Sequence, residues 1–374
     1  MKIMFATGGT GGHINPALAV AGYIRQEYKD AQILFVGTKT KMEAKLVPDA
    51  GFDFQTIEIS GFQRKINVEN IIKNVKTVKQ MFTSSAQAKK IIKEFQPDVV
   101  VGFGGYVSGP VVRMTQKMGI KTAIHEQNAY PGVTNKTLAK VVDQVMLTVE
   151  DAQKHLTCKN PCVITGLPVR GEMLEADRDF SRAELGVKDN QKLVLSMGGS
   201  LGARAINDSM VELISKNHKN QDIYFLHAMG QYGLWVPEKL EENGVDLKTS
   251  KNVEIREYIT DMHRCMSACD LIICRAGASS LSEIEALGKA SILIPSPNVA
   301  ENHQYHNAMA LVNNDAATII VEKDLTSESM SNLFDSLISD ENKLKNLGAN
   351  ALKLAHLNAK EEIAKILIEL ANNK

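Results

Sequence analysis

A chain of 374 residues is long enough to bury two or three separate cores, so a multidomain globular protein is the starting expectation. Its 43 basic and 43 acidic side chains cancel, and nothing global points to a nucleic-acid partner. No apolar run approaches the eighteen or so residues of a spanning helix, and the strand-like beginning carries no signal-peptide pattern.

The first segment, Lys2-Ile3-Met4-Phe5-Ala6, is short and apolar, as suits a strand buried on both faces of a parallel sheet. It breaks into Thr7-Gly8-Gly9-Thr10-Gly11-Gly12-His13, and Asn15 to Val20 then opens a helix with Pro16 in its first turn. Strand, glycine loop and helix start together make an anion site. Backbone N–H groups and the helix dipole aim at the ligand, and the missing side chains let it come close. A tight turn without a ligand is the plainer alternative, but four glycines in five positions exceed what a turn requires. Gln32 to Gly37 is the second strand. A dinucleotide fold would want G-x-G-x-x-G and an acid ending this strand. Here Gly9-x-Gly11 runs into His13-Ile14 and the strand into Gly37-Thr38-Lys39, which weakens a dehydrogenase reading. Neither this loop nor the one at 198–204 contains the G-x-x-x-x-G-K-[ST] of a nucleoside triphosphatase.

Residues 62–93 are unusual. Ile71, Ile72, Val75, Val78, Met81 and Phe82 recur at roughly helical spacing. Arg64, Lys65, Lys73, Lys76, Lys79, Lys89, Lys90 and Lys93 meet only Glu69 before Glu94. Such a basic amphipathic segment suits an anionic membrane surface. A core-facing stripe with a solvated lysine face fits the same pattern. Asp98 to Phe103 is a further buried strand, ending in a third glycine loop, Gly104-Gly105-Tyr106-Val107-Ser108-Gly109-Pro110. Lys121 to Ile124 follows as a strand, and His125-Glu126-Gln127-Asn128 crowds polar groups at its carboxyl end, where a site is expected; a hydrogen-bonded turn is the alternative. Val145 to Thr148 and Val163 to Gly166 close the first half, and Leu167-Pro168-Val169-Arg170 crosses into the second.

The opening grammar recurs there. Lys192 to Met197 is a strand, Gly198-Gly199-Ser200-Leu201-Gly202-Ala203-Arg204 a loop, and Ala205-Ile206-Asn207 begins a helix. Two such units predict two doubly wound α/β domains, with ligands at the carboxyl ends of their strands. Ile223 to His227, Val253 to Ile255, Cys269 to Cys274 and Ser291 to Pro295 supply more strands. After Cys274, Arg275-Ala276-Gly277-Ala278-Ser279-Ser280-Leu281-Ser282-Glu283 starts a helix with small residues and hydroxyls. Glu283 falls one turn inside, where a carboxylate can hold both hydroxyls of a ribose or simply favour the helix dipole. His303 and His306 lie three apart on a helix with no clear third metal ligand. Cys158, Cys162, Cys265, Cys269 and Cys274 lack the usual zinc spacing and read as buried free thiols in a reducing compartment. Lys360 to Ala371 is a final amphipathic helix, with Ile363, Ile366, Leu367 and Leu370 on one stripe.

Six segments in register carry a resemblance: GGTGGHINP (8–16), GFGGYVSGP (102–110), HEQNAYPGVTNK (125–136), GGSLGAR (198–204), RAGASSLSE (275–283) and ENHQ (301–304). Together they resemble the MurG family of peptidoglycan glycosyltransferases, along essentially the whole chain. Leu201 stands where that family has glutamine, and Leu167 where GNPVR is usual.

The resemblance implies a GT-B fold: two Rossmann-like doubly wound domains facing a cleft. Residues 1–166 would take the acceptor and the membrane, and 167–357 the UDP-sugar. Residues 358–374 would form a helix crossing back to the first domain. It further implies inverting transfer of N-acetylglucosamine from UDP-N-acetylglucosamine to the muramoyl 4-hydroxyl of undecaprenyl-diphospho-muramoylpentapeptide. That places the protein peripherally on the cytoplasmic face of the bacterial inner membrane, with residues 64–93 on the lipid. Carried over by position, Ile259 and Ala278 touch the uracil, Glu283 the ribose, Ser200 and Arg170 the diphosphate, and Gln304 and Asn128 the sugar. Ser279, Ser280, Leu281 and Ser282 belong to the same donor segment. Thr10, Gly11 and Gly12 close over the donor, and Gly104, Gly105 and Tyr106 belong to the acceptor side. Fixed backbone donors, a helix N-terminus and an arginine can stabilise the leaving diphosphate, so neither metal nor cofactor is demanded. A base must take the hydroxyl proton. His13 is the first choice, with Glu126 and His125 behind it. A related transferase acting on another lipid such as diacylglycerol, and a non-catalytic UDP-sugar sensor, are the competing expectations.

Overall fold

The computed structural model describes residues 1–61 and 68–373, without the side chains of residues 68–79, 81 and 82. Arg64 and Lys65, and the side chains of Ile71, Ile72, Lys73, Val75, Lys76, Val78, Lys79, Met81 and Phe82, therefore lie outside the described residues. The chain divides into two compact units. One holds residues 1–168 and 356–374 and the other residues 169–355, against the changeovers expected at 166 and 357.

The first unit carries strands β1 Lys2–Ala6, β2 Gln32–Gly37, β3 Asp53–Thr56, β4 Val99–Gly102, β5 Lys121–Glu126, β6 Gln144–Leu147 and β7 Val163–Ile164. Its helices are α1 Gly11–Glu27, α2 Glu43–Asp49, α3 Val68–Phe95, α4 Ser108–Lys117 and α5 Val133–Leu138. The second unit carries helices α6 Gly171–Glu175, α7 Arg178–Glu184, α8 Arg204–Asn217, α9 Val236–Glu242 and α10 Met262–Ala268. It continues with α11 Ala278–Ala286, α12 His303–Val312, α13 Ser327–Ile338 and α14 Glu341–Leu354. Its strands are β8 Lys192–Met197, β9 Ile223–Ala228, β10 Val253–Arg256, β11 Leu271–Cys274, β12 Ala290–Leu293 and β13 Thr318–Ile319. A last helix, α15 Ala359–Asn372, belongs to the first unit.

Both sheets are parallel. Strand order is β3-β2-β1-β4-β5-β6-β7 in the first and β10-β9-β8-β11-β12-β13 in the second. In each, the winding reverses once, between β1 and β4 and between β8 and β11. Open α/β sheets bind ligands at such a reversal, in the crevice beyond the carboxyl ends of the strands. The apolar runs exist because side chains alternate between two covered faces. Ile3 and Phe5 pack under α1 and α15 through Ile14, Val20, Ile363 and Leu367, while Met4 and Ala6 face Ile91 and Ile92 of α3 and Val111 of α4. In the second unit Val194, Phe225 and Ile273 join α8 and α13 through Met210 and Phe334.

Several local expectations needed correction. Helix α1 begins at Gly11, so Pro16 sits inside it with its ring buried, and Gly11 and Gly12 form its first turn. Strand β5 runs two residues further than its apolar run, and β3 and β13 are additional edge strands. At the end of α3, Ala88, Ile91 and Ile92 are buried and Lys89, Lys90 and Lys93 exposed, a core stripe beneath a solvated basic face. Among the described residues no helix is long and apolar enough to cross a membrane. Cys265, Cys269 and Cys274 are buried, but Cys158 and Cys162 are only half-buried and their sulfurs lie 2.8 Å apart.

Candidate active site

The loop after β1 and the loop after β4 meet at the first reversal point. Ser108, the first residue of α4, is buried and clips them together: its hydroxyl lies 2.9 Å from the Ala6 carbonyl and 2.8 Å from the Gly104 carbonyl. Gly104 has φ +97°, and a Cβ there would come within 2.6 Å of the His13 ring, so the glycine makes room for the imidazole. His13 is half-buried, its Nδ1 3.1 Å from the Gly8 carbonyl. A carbonyl only accepts, so that contact places the ring proton on Nδ1 and leaves Nε2 basic. Thr10 flanks α1 without capping it through its side chain, and Thr10 and Gly12 are exposed. Tyr106 is also exposed, beside Gly104 and Gly105.

The two runner-up bases are not placed for proton transfer. His125 is fully buried, stacks on Phe103, and bonds the Gly166 carbonyl through Nε2 at 2.9 Å and Gln127 through Nδ1 at 3.2 Å. Burial drives its pKa down to about 4, with the Gly166 hydrogen bond opposing. Glu126, 2% exposed, accepts from the Asn128 and Gly132 amides and from the Asn128 and Asn135 side chains, at 2.8–3.2 Å. Glu126 shapes the 126–135 turn and holds Asn128, while the His125 ring ties β5 to Gly166 and Gln127.

At the second reversal point, Arg170, Ser200, Ile259, Ser280 and Glu283 line one cavity of about 210 Å³, with Met197, Tyr258 and Thr260. Glu283 and Arg170 form an ion pair at 2.9 Å. Burial raises the Glu283 carboxyl above its ordinary value, and the Arg170 guanidinium draws it back. Ala278 and Ser279 form the first turn of α11, whose preceding Gly277 supplies no cap. Leu281 and Ser282, by contrast, are buried and point away from this cavity.

Gln304 lies in a neighbouring cavity of about 370 Å³ with Gly198, Gly202, Arg275, Ser296 and Glu322. Its Oε1 accepts the Ser296 N–H at 2.9 Å, which leaves its NH₂ to donate. Ahead of it, Glu301 (φ 52°) and Asn302 (φ 50°) are both left-handed, a strained pair of the kind that clusters at functional sites. Helices α1, α8 and α11, which follow the glycine-rich turns, all start without a side-chain cap. Asp177, Thr326 and Asp340 cap α7, α13 and α14, while α2, α4, α5, α6, α9, α10, α12 and α15 also start without a side-chain cap. Uncapped first-turn amides are what an anion needs.

A larger cavity of about 710 Å³ opens at the opposite, amino-terminal edge of this sheet. Its cations are already engaged. Arg178, Arg182 and Lys289 donate to the carbonyls ending α10, and both arginines pair with Asp270. That makes it a braced joint.

Residues 3–147 match the glycosyltransferase family 28 N-terminal domain and residues 193–366 the family's C-terminal domain. The chain belongs to the MurG family, within glycosyltransferase family 28. It is 43% identical over 376 residues to the UDP-N-acetylglucosamine--N-acetylmuramyl-(pentapeptide) pyrophosphoryl-undecaprenol N-acetylglucosamine transferase of Acetivibrio thermocellus, covering 100% of this chain and 99% of that one. The same-named protein of Desulforamulus reducens is 43% identical over 98% of this chain and 97% of its own. The crystal structure of Acinetobacter baumannii MurG superposes with a TM-score of 0.81 at 28% identity, covering 98% of this chain and 99% of that one. The fold of this MurG-family chain is accordingly GT-B, two Rossmann-like parallel-sheet domains.

Sequence reasoning missed Glu43 and Thr38, which hold the first glycine loop from behind, and the Arg275–Glu322 pair beside Gln304. It also missed Glu285, 6% exposed on α11 and without a described partner. Burial raises Glu285 from its ordinary 4.5 to about 8. The folded state therefore holds a proton that the unfolded chain releases, and its stabilising contribution, complete below about pH 4.5, is lost as pH rises to about 8. Glu285→Gln keeps the neutral shape and removes that loss. Urea unfolding should find it close to wild type near pH 4 and more stable above pH 8, by on the order of a few kcal/mol.

Proposed function

We propose that this chain transfers N-acetylglucosamine from UDP-N-acetylglucosamine to the muramoyl 4-hydroxyl of undecaprenyl-diphospho-muramoylpentapeptide, with inversion, in peptidoglycan synthesis. The observation that carries this is identity of 43% along the full chain to a transferase named for that reaction. The second unit takes the donor. Glu283 accepts from the ribose hydroxyls, Arg170 and Ser200 meet the diphosphate, Ile259 and the first turn of α11 face the base, and the donor NH₂ of Gln304 reaches the sugar. The first unit takes the acceptor through the turns at 8–13 and 104–106, and Asn128 faces the sugar.

The muramoyl hydroxyl attacks the anomeric carbon, the bond to the diphosphate breaks, and UDP leaves. His13 Nε2 takes the hydroxyl proton while Nδ1–H stays on the Gly8 carbonyl, so the imidazolium that forms keeps an acceptor for its second proton. Arg170 and backbone amides face the charge that develops on the leaving diphosphate, where preorganised donors act most strongly. The basic composition of the 64–93 segment supports a peripheral position at an anionic inner-membrane surface, cytoplasmic side, where a polyprenyl-linked acceptor resides.

Adding muramoyl lipid should start UDP release that donor alone does not, and diacylglycerol should not replace it; release without acceptor dependence would remove transfer as the function. His13→Ala should lower kcat by roughly 10²–10⁴ with donor affinity little changed. A large affinity loss with turnover intact would make His13 a binding group. Calorimetry should show UDP bound at least about 1 kcal/mol more weakly by Glu283→Ala, the scale of one charge-assisted contact. Replacing Lys73, Lys76 and Lys79 with glutamine should reduce sedimentation with anionic vesicles and flatten its salt dependence; unchanged binding would reassign the membrane contact.

A further inference from the structure

Glu43, the first residue of α2, is a carboxylate with 0% exposure at the floor of the first glycine loop. Its described partners are neutral donors from two loops. Oε1 accepts the Thr38 N–H at 2.9 Å and the Thr38 hydroxyl at 2.6 Å, and Oε2 accepts the Gly9 N–H at 3.0 Å. The backbone is cut away to admit it: a Cβ at Gly8 or at Gly37 would come within 2.6 Å of its side chain. The Gly9 N–H and the Gly8 carbonyl belong to one planar peptide group. The carboxylate therefore holds that peptide from one side, and His13 Nδ1 lies 3.1 Å from the carbonyl on the other.

We propose that Glu43 is a positioning residue for glycosyl transfer, acting on His13 through the Gly8–Gly9 peptide. This rests on the reading of His13 as the base. The carboxylate pulls on the amide proton and makes the carbonyl of the same peptide a stronger acceptor, because hydrogen bonds in a chain polarise one another. The stronger carbonyl holds the Nδ1–H tautomer, keeps the lone pair on Nε2, and favours the imidazolium that forms when Nε2 takes the proton. It works like a carboxylate–imidazole pair with a peptide interposed. The same bond removes Gly9 from the amides available to substrate, leaving those of Gly11 and Gly12 at the helix start.

The test compares Glu43→Gln, His13→Ala and their double variant, with Glu43→Asp and Thr38→Val beside them. A glutamine cannot accept at both ends, so one amide N–H loses its partner. Glu43→Gln should lower kcat about tenfold or more with the donor KM unchanged. It should also move the acid limb of the kcat profile to lower pH, because a weaker base loses its proton sooner. Long-range ¹H–¹⁵N spectra of the ring should show the Nδ1–H tautomer in wild type and a mixture in Glu43→Gln. Thr38→Val removes a partner at the other end of the same carboxylate and should cost thermal stability with little effect on kcat. Glu43→Asp keeps the charge at shorter reach, and an intermediate kcat is expected even if the glutamine variant fails to fold. In the His13→Ala background Glu43→Gln should cost nothing further. Multiplicative losses, an unmoved acid limb, full turnover in Glu43→Asp, or equal losses from Thr38→Val would overturn the relay. A crippled His13→Ala beside a silent Glu43→Gln would sink the relay alone; full turnover in His13→Ala would sink the base reading and the relay with it.

Discussion

Everything functional in each half of this molecule depends on how a parallel strand ends. The first amides of the helix that follows have no partner inside the helix and must find one elsewhere. A side chain can close that end, as Asp177, Thr326 and Asp340 do here, although most of the other described helices also start without one. At the two reversal points the chain forgoes the closure. Thr10, Ala203 and Gly277 stand where a cap would be and provide none. The donors a phosphate needs are thus produced by leaving something out, and glycines keep side chains from filling the space.

Carboxylates show how far environment decides what one functional group does. Glu43 and Glu126 are buried against neutral donors and act as clamps, one on the glycine loop and one on the 126–135 turn. Glu283 is paired with Arg170 on a cavity wall. Glu285, two residues further along α11, lies roughly 200° round the helix and faces packed interior, where burial favours its proton. A helix that carries one acid into a binding cavity carries the other into the core by the same geometry.

Strands were the most legible part of the sequence. Lys2–Ala6, Gln32–Gly37 and Lys192–Met197 keep the ends their apolar runs suggest, because burial on both faces leaves a continuous signal. Edge strands do not carry it: Asp53–Thr56 is largely exposed and polar, and Thr318–Ile319 is two residues long. His125 and Glu126 read as a polar loop yet continue β5, because their hydrogen-bonding groups are met by Gly166 and Asn135, partners that no local window contains. Pro16 misled in the opposite way. Its preference for a first turn is real, but Gly11 and Gly12 already supply that turn, and the proline is carried inside by core packing. Of the donor segment at 278–283, spacing gave the helix and Glu283, but not which residues between them face inward. Glu43 had no local signature at all, since its meaning lies in Gly8 and Gly37, neither of which is its neighbour in sequence.

Uncapped helices have an energetic consequence. Each missing cap forgoes about 0.5–2 kcal/mol of the stability a serine, threonine or aspartate would contribute. The cores stand against this: Phe5 stacks on Phe35 and Phe103 in the first unit, and Phe225 of β9 on Phe334 of α13 in the second. What the protein retains at those helix starts is a set of first-turn amides with no side-chain cap. The Gly8–Gly9 peptide shows the limit of that device. There the Gly9 amide is not left open but bonded to the buried Glu43 side chain, and the carbonyl of the same peptide meets His13 Nδ1.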